Sequence, residues 1–136
     1  MDCIFCKIIR GEIPCEKVYE DEFVLSFLDI NPVMPGHTLV ITKEHHANIL
    51  EVAEGTLERL ATRVQKVARG VKDGTLADGI FVSTLSGEAA GQSVFHIHFH
   101  IIPRYENDGL VNWPYKPYAP GEREEVAKKI KTALSS

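Results

Sequence analysis

The chain has 136 residues, with 15 Lys and Arg against 19 Asp and Glu, and a net charge of -4. This length fits a single domain over 1–136, and the acidic balance argues against a polymeric nucleic acid as partner. No apolar run is long enough to span a membrane. The N-terminus also lacks a basic region followed by an apolar stretch, so we expect a cytoplasmic protein without a membrane partner.

The predicted elements are short strands and two main helices. The first element is an amphipathic helix over 3–10, which Gly11 ends. The elements that follow in chain order are strands at 17–20, 23–28 and 38–42, a helix at 54–72, a strand at 79–84, a histidine-bearing strand, an irregular arm at 106–121 and a helix at 122–134. The apolar stripe of helix 54–72 is typical of a core or of a dimer face. Hairpin-linked strands with separate helices predict an α+β domain on a mostly antiparallel sheet.

Half of the six histidines fall within five residues. His96, His98 and His100 alternate with Ile97 and Phe99, which predicts a β-strand with three imidazoles on one face. Such a face suits a metal site, a phosphoryl-transfer site, or both. Alternate residues lie roughly 6.8 Å apart along a strand, and a zinc–nitrogen bond measures about 2 Å. One ion therefore cannot take all three rings, and at least one histidine is free for other chemistry.

The free histidine suits phosphoryl transfer. A neutral imidazole can attack phosphorus and form a phosphohistidine, and neighbouring imidazoles can donate to phosphate oxygens. Gln92 and Ser93 stand just before the histidines, and Gly91 lets the backbone come close to a ligand. Together these residues predict a phosphate held in front of the middle histidine.

The cysteines leave two interpretations open. Cys3 and Cys6 have the spacing of a zinc knuckle or of a redox pair, and Cys15 has no partner at such a spacing. An odd number of cysteines in a cytoplasmic protein argues against a disulfide framework.

The segment 91–104, GQSVFHIHFHIIPR, resembles the signature of the histidine-triad (HIT) superfamily, in which histidines alternate with hydrophobic residues. Segments 3–14, 27–30 and 35–45 are similar to its Hint branch and bacterial members. The resemblance implies a HIT-like fold with a five-stranded, mostly antiparallel sheet and two main helices. It also implies a homodimer in which two sheets form one continuous ten-stranded sheet.

The resemblance implies an enzyme that cleaves purine nucleoside monophosphate conjugates, such as AMP or GMP phosphoramidates and adenylyl conjugates. His98 is then the nucleophile toward the α-phosphorus, and His100 binds the phosphate. His37 and Ser93 complete the implied catalytic set. The other implied substrate contacts are Phe5, Ile8, Phe27 and Ile30 around the base, Asp29 at the ribose, and Gln92 near the phosphate and leaving group.

The resemblance further implies a structural zinc ion bound by Cys3, Cys6, His45 and His96. Thiolates and imidazoles suit tetrahedral zinc. His46 competes with His45 by adjacency alone.

One departure from the family pattern bears on substrate choice. Leu85 stands where many relatives carry an asparagine that contacts the nucleotide, so nucleotide affinity or substrate preference is expected to differ. Three alternatives stay open: a dinucleoside polyphosphate hydrolase, a nucleotide-binding signalling module with incidental turnover, and a zinc-stabilised redox protein that uses its cysteine pair.

Overall fold

A computed structural model describes residues 3–111 and 113–136. The helices and strands are, in chain order, α1 (Ile4–Ile9), β1 (Lys17–Glu20), β2 (Val24–Leu28), β3 (Thr38–Thr42), α2 (Glu54–Thr75), β4 (Gly79–Thr84), β5 (His98–Arg104) and α3 (Glu122–Leu134). The strands form one sheet in the order β1-β2-β3-β5-β4. Every pair of neighbouring strands is antiparallel. The predicted α+β fold is therefore confirmed.

Strand β5 holds two of the three alternating histidines at a rigid position inside the sheet. It is hydrogen-bonded on one side to β3 and on the other to β4. His98 pairs with Ile41, and His100 pairs with Leu39. Residues paired across neighbouring strands share a face, so both histidines lie on the side of the sheet that α1 covers.

The sheet has a hydrophobic cluster on each side. On one side, α2 packs Leu60, Val64 and Val67 against the sheet, which confirms its apolar stripe as core. On the other side, α1 contributes Phe5 to a smaller cluster. The buried members of that cluster are Phe5, Leu25, Phe27, Leu39 and Ile41. Burying each large apolar side chain contributes roughly 1.5–3 kcal/mol, so both layers fix the position of β5.

The prediction that all three histidines lie on one strand is wrong. Strand β5 begins at His98, and His96 lies in the bend that precedes it. The amide N–H of Ile97 donates to the carbonyl of His46 at 2.7 Å, so the backbone leaves the sheet at this point. Helix α2 also continues to Thr75, beyond the predicted end at 72, and stops at Leu76 with a left-handed φ of 56°.

The C-terminal quarter lies on the surface. The irregular arm and the terminal helix occur where they were predicted, apart from position 112 of the arm, which lies outside the described residues. Helix α3 has no buried residue and exposes Val126, Ile130 and Leu134 at four-residue spacing. None of the helices in the described ranges is long and apolar enough to cross a membrane.

Candidate functional site

His98 is a buried, neutral imidazole with one ring nitrogen available for attack. The residue is 7 % exposed, and its Nδ1 lies 2.7 Å from the carbonyl oxygen of His96. A carbonyl oxygen only accepts, so Nδ1 carries the proton and Nε2 keeps its lone pair. Burial lowers the pKa of His98. The geometry therefore presents the tautomer that a nucleophilic histidine needs.

A second pair of imidazoles forms a directed hydrogen-bond chain beside His98. The amide N–H of Val33 donates to Nδ1 of His37 at 3.1 Å. Nε2 of His37 therefore carries the proton of the neutral ring and donates it to Nδ1 of His100 at 3.0 Å. His100 in turn carries its own proton on Nε2. The His98 and His100 ring centres lie 5.0 Å apart, so the two rings are direct neighbours.

Burial keeps the two imidazoles of this hydrogen-bond chain, His37 and His100, uncharged. It lowers the pKa of His37, and it lowers the pKa of His100 to about 4. The Asp29 carboxylate lies 3.6 Å from Nε2 of His37 and acts in the opposite direction, since a nearby negative charge favours the protonated ring. Two neutral rings with a fixed proton order therefore end in an N–H that can donate to a phosphate oxygen.

Four further side chains converge on a separate point. Cys3, Cys6, His45 and His96 bring one ligand atom each to within 4.8 Å of one another. The two histidine Nδ1 atoms lie 3.2 Å apart, and the measured sulfur–nitrogen distances are 3.4, 3.4 and 3.6 Å. A tetrahedron with zinc bonds of about 2.05 Å to nitrogen and 2.3 Å to sulfur has edges of about 3.3 and 3.6 Å. The donor set therefore fits zinc in both chemistry and spacing.

We call Cys3, Cys6, His45 and His96 the metal cluster, meaning the four side chains that could bind one ion. Backbone contacts orient its histidines. Nε2 of His96 lies 2.7 Å from the carbonyl oxygen of Thr42, so Nε2 carries the proton and Nδ1 points its lone pair at the cluster. Burial lowers the pKa of His96 to about 4, which keeps the ring neutral. The structure brings His45 into the cluster and leaves out His46, whose Nε2 lies 3.7 Å from the Glu44 carboxylate.

Phe5 lies between the two groups of histidines. Its ring packs edge-on against His96 and His98, with centre distances of 5.9 and 5.0 Å, and against Phe27 at 5.7 Å. Because Cys3 caps the N-terminus of α1 and Cys6 follows Phe5 in the helix, the metal cluster also holds the ring that packs on His98.

The predicted base contacts lie in different environments. Phe5 and Phe27 are buried in the core, Ile8 is half-buried beside them, and Ile30 is 88 % exposed. The Asp29 carboxylate accepts a hydrogen bond from the Asn31 amide.

Gln92 and Ser93, in the loop before His96, lie in different environments, although the sequence predicts that both lie near the phosphate. Ser93 is exposed, whereas Gln92 is buried and its amide bonds to three backbone groups. No spacing pattern in the sequence distinguishes these two environments. Leu85 lies against this loop, because a Cβ placed on Gly91 would be 3.5 Å from its Cδ1. Cys15 packs against the core cluster of Phe5 and is outside the metal cluster.

Comparison with known proteins identifies the family. Residues 10–107 match the family model described as HIT domain. The chain belongs to the HIT family. A HIT family protein from Bacillus subtilis has a crystal structure with a TM-score of 0.91 at 44 % identity, over 100 % of this chain and 99 % of that one.

Two further HIT relatives bear on chemistry. The adenosine 5'-monophosphoramidase hnt1 of Schizosaccharomyces pombe is 42 % identical over 137 residues, which covers 96 % of this chain and 100 % of that protein. A zinc-bound histidine triad family protein from Mycobacterium smegmatis aligns with a TM-score of 0.77 at 39 % identity, over 99 % and 94 % of the two chains.

Proposed function

We propose that this HIT protein hydrolyses purine nucleoside monophosphate conjugates at the α-phosphorus through a phosphohistidine on His98. The observation that carries the proposal is the hydrogen bond from Nδ1 of His98 to the His96 carbonyl, which leaves Nε2 unprotonated. The similarity to an adenosine 5'-monophosphoramidase supports AMP conjugates, phosphoramidates above all, as the substrate class.

The reaction has two displacements. Nε2 of His98 attacks the α-phosphorus, and the bond from phosphorus to the leaving group breaks. The amine, alcohol or phosphate departs with the electron pair of that bond and takes up a proton. Water then cleaves the phosphorus–nitrogen bond, which releases the nucleoside monophosphate and restores the neutral ring of His98.

His100 and His37 stabilise the charge that develops on the phosphate. Nε2–H of His100 donates to a phosphate oxygen, and the His37 hydrogen bond keeps that proton on Nε2. A donor held in place before the reaction costs no reorganisation in the transition state. Ser93, exposed just before the bend, donates on the leaving-group side. Asp29 accepts from the ribose hydroxyls, and Phe5, Ile8, Phe27 and Ile30 surround the base.

The metal cluster holds a structural zinc ion through Cys3, Cys6, His45 and His96. Zinc bound there supplies folding energy by joining α1 to the segments that carry the two histidines. The zinc-bound relative from Mycobacterium smegmatis supports this assignment.

Single-turnover hydrolysis of a fluorogenic adenosine phosphoramidate tests the function. We expect turnover by the wild-type protein and a loss of at least about 10³-fold in His98→Ala. Rapid quenching and intact-mass measurement should show one adenylyl group on the wild-type chain and none on the variant. Equal rates for the two proteins would exclude His98 as nucleophile.

A second candidate is a nucleotide-binding signalling module, favoured by the apolar Leu85 against the Gly91 loop. It predicts AMP binding without turnover of phosphoramidates, adenylyl conjugates or dinucleoside polyphosphates. The same assay with these three substrates separates the candidates.

We also propose a homodimer. Helix α3 exposes an apolar stripe, and β4 is an edge strand of the sheet with Phe81 and Val82 partly exposed. Long apolar edges are commonly covered by a partner. Sedimentation velocity should give twice the mass of one chain, and a monomer at micromolar concentration would contradict the proposal.

A further inference from the structure

The Gln92 side chain is engaged by the protein itself at every hydrogen of its amide. Nε2 donates to the carbonyl of Ala47 at 2.6 Å and to the carbonyl of Val94 at 3.0 Å. Oε1 accepts from the amide N–H of Gly87 at 2.8 Å. A side-chain amide has only two donor hydrogens. No donor therefore remains for a phosphate or a leaving group, and the residue is only 3 % exposed.

The three backbone partners belong to three different parts of the site. Ala47 follows the metal-cluster residue His45 by two positions, and Val94 precedes His96 by two positions. Gly87 begins the turn that leads to the histidine bend and has a positive φ of 94°. One side chain thus joins both histidine-bearing segments of the metal cluster to the loop beside the nucleophile.

We propose that Gln92 is a positioning residue that holds these three segments together and does not contact substrate. The inference rests on the proposed function for its catalytic part only. Since Nδ1 of His98 bonds to the His96 carbonyl, a shift of the bend at 94–96 moves both a metal ligand and the hydrogen-bond partner of the nucleophile. Loss of the amide also leaves three partly buried backbone groups without these hydrogen bonds, which is costly.

Two variants at this position test the proposal. Gln92→Met keeps the length and removes all three hydrogen bonds, and Gln92→Glu keeps the acceptor for Gly87 but places a carboxylate against two carbonyls. Residues that orient metal ligands typically change metal affinity or activity by about 10- to 100-fold. We expect both variants to lose zinc to a chromophoric chelator about tenfold faster than the wild type. Gln92→Glu should lose zinc faster than Gln92→Met. The neighbouring variant Ser93→Ala should release zinc at the wild-type rate.

The catalytic readouts separate positioning from contact. We expect kcat to fall for both variants while KM and the affinity for AMP stay within about threefold. The dependence of the rate on the leaving-group pKa should keep the wild-type slope. Wild-type zinc release together with a raised KM or a changed slope would overturn the proposal.

NMR of the wild-type protein tests the inference without a variant. The side-chain NH₂ of Gln92 should exchange slowly with solvent, because it is buried and bonded, and its signals should stay in place when AMP is added. Fast exchange, or a large shift on AMP binding, would contradict the proposal. These signals and the zinc release remain informative if no conjugate is turned over, which is the outcome that would defeat the proposed function instead.

Discussion

His96 and His98 are two residues apart, yet they belong to two groups of side chains that are arranged in different ways. The metal cluster directs four ligand atoms inward to one point. The proposed catalytic group of His37, His98 and His100 has a fixed order of protons, which leaves Nε2 of His98 unprotonated and places a proton on Nε2 of His100. Under the proposed function, His96 thus has a structural role and His98 a chemical one.

Backbone carbonyls decide between the two roles. The Thr42 carbonyl accepts a hydrogen bond from Nε2–H of His96, so the lone pair on Nδ1 of that ring faces the metal cluster. The His96 carbonyl accepts a hydrogen bond from Nδ1–H of His98, so the lone pair of that ring is on Nε2. In the proposed function, the ring nitrogen that the backbone binds determines whether a histidine acts as a metal ligand or as a nucleophile.

The strongest test of this separation removes one metal ligand. Cys6→Ser should lose zinc, and the free energy of unfolding should fall by about 3–4 kcal/mol when free zinc is 100 to 1,000 times the dissociation constant. Zinc analysis and urea unfolding measure both effects. The matched control is Cys15→Ser, which lies outside the cluster and should keep one zinc per chain. If His98→Ala also lost its zinc, the two groups would not be separate.

Replacing His37 tests the catalytic group without touching the metal cluster. His37→Phe removes the donor to His100, so we expect kcat to fall by about 10²-fold, the lower end for loss of a donor that stabilises developing charge. His37→Gln retains an N–H donor at similar reach and should lose less. Stopped-flow assays and zinc content measure the outcome. Zinc should stay bound in both variants. Equal losses of kcat in the two variants would show that the hydrogen bond from His37 to His100 does not contribute to catalysis.

The two designs differ in how far the sequence predicts them. Hydrophobic periodicity located the starts of β1 to β4 to within one residue but missed that of β5, and the family resemblance brought together the four side chains that meet in the metal cluster. Alternation continues through His96, but the Ile97 amide bonds to the His46 carbonyl instead of to a strand. Period-two patterning records which side chains are apolar and not where backbone groups bond.

The same limit applies to proton positions and to Gln92. Neither the Thr42 carbonyl nor the Val33 amide carries a sequence signal, because every residue type supplies a carbonyl and every type except proline supplies an amide N–H. The tautomers of His96 and His37 therefore follow only from tertiary structure. The sequence around Gln92 does not indicate whether its side chain faces substrate or backbone, and only its burial in the structure distinguishes these two environments.

The smallest expected effect concerns acid stability of the catalytic group. Burial beside His98 and His37 lowers the pKa of His100 to about 4, with the Asp29 carboxylate opposing the shift. An unfolded histidine titrates near 6.5, so the unfolded chain binds more protons between these values. The stability is therefore complete above about pH 6.5 and is lost as the pH falls toward 4.

The half-buried position of His100 reduces the effect to about 1 kcal/mol. Urea unfolding at pH 7.5 and pH 5 should show a smaller acid-induced loss in His100→Gln than in the wild type, by about that amount. Protons also compete with zinc in this range, but they do so in both proteins and cancel in the difference. An identical loss in the two proteins would mean that the folded state protonates His100 as readily as the unfolded chain does, which would contradict the lowered pKa of His100.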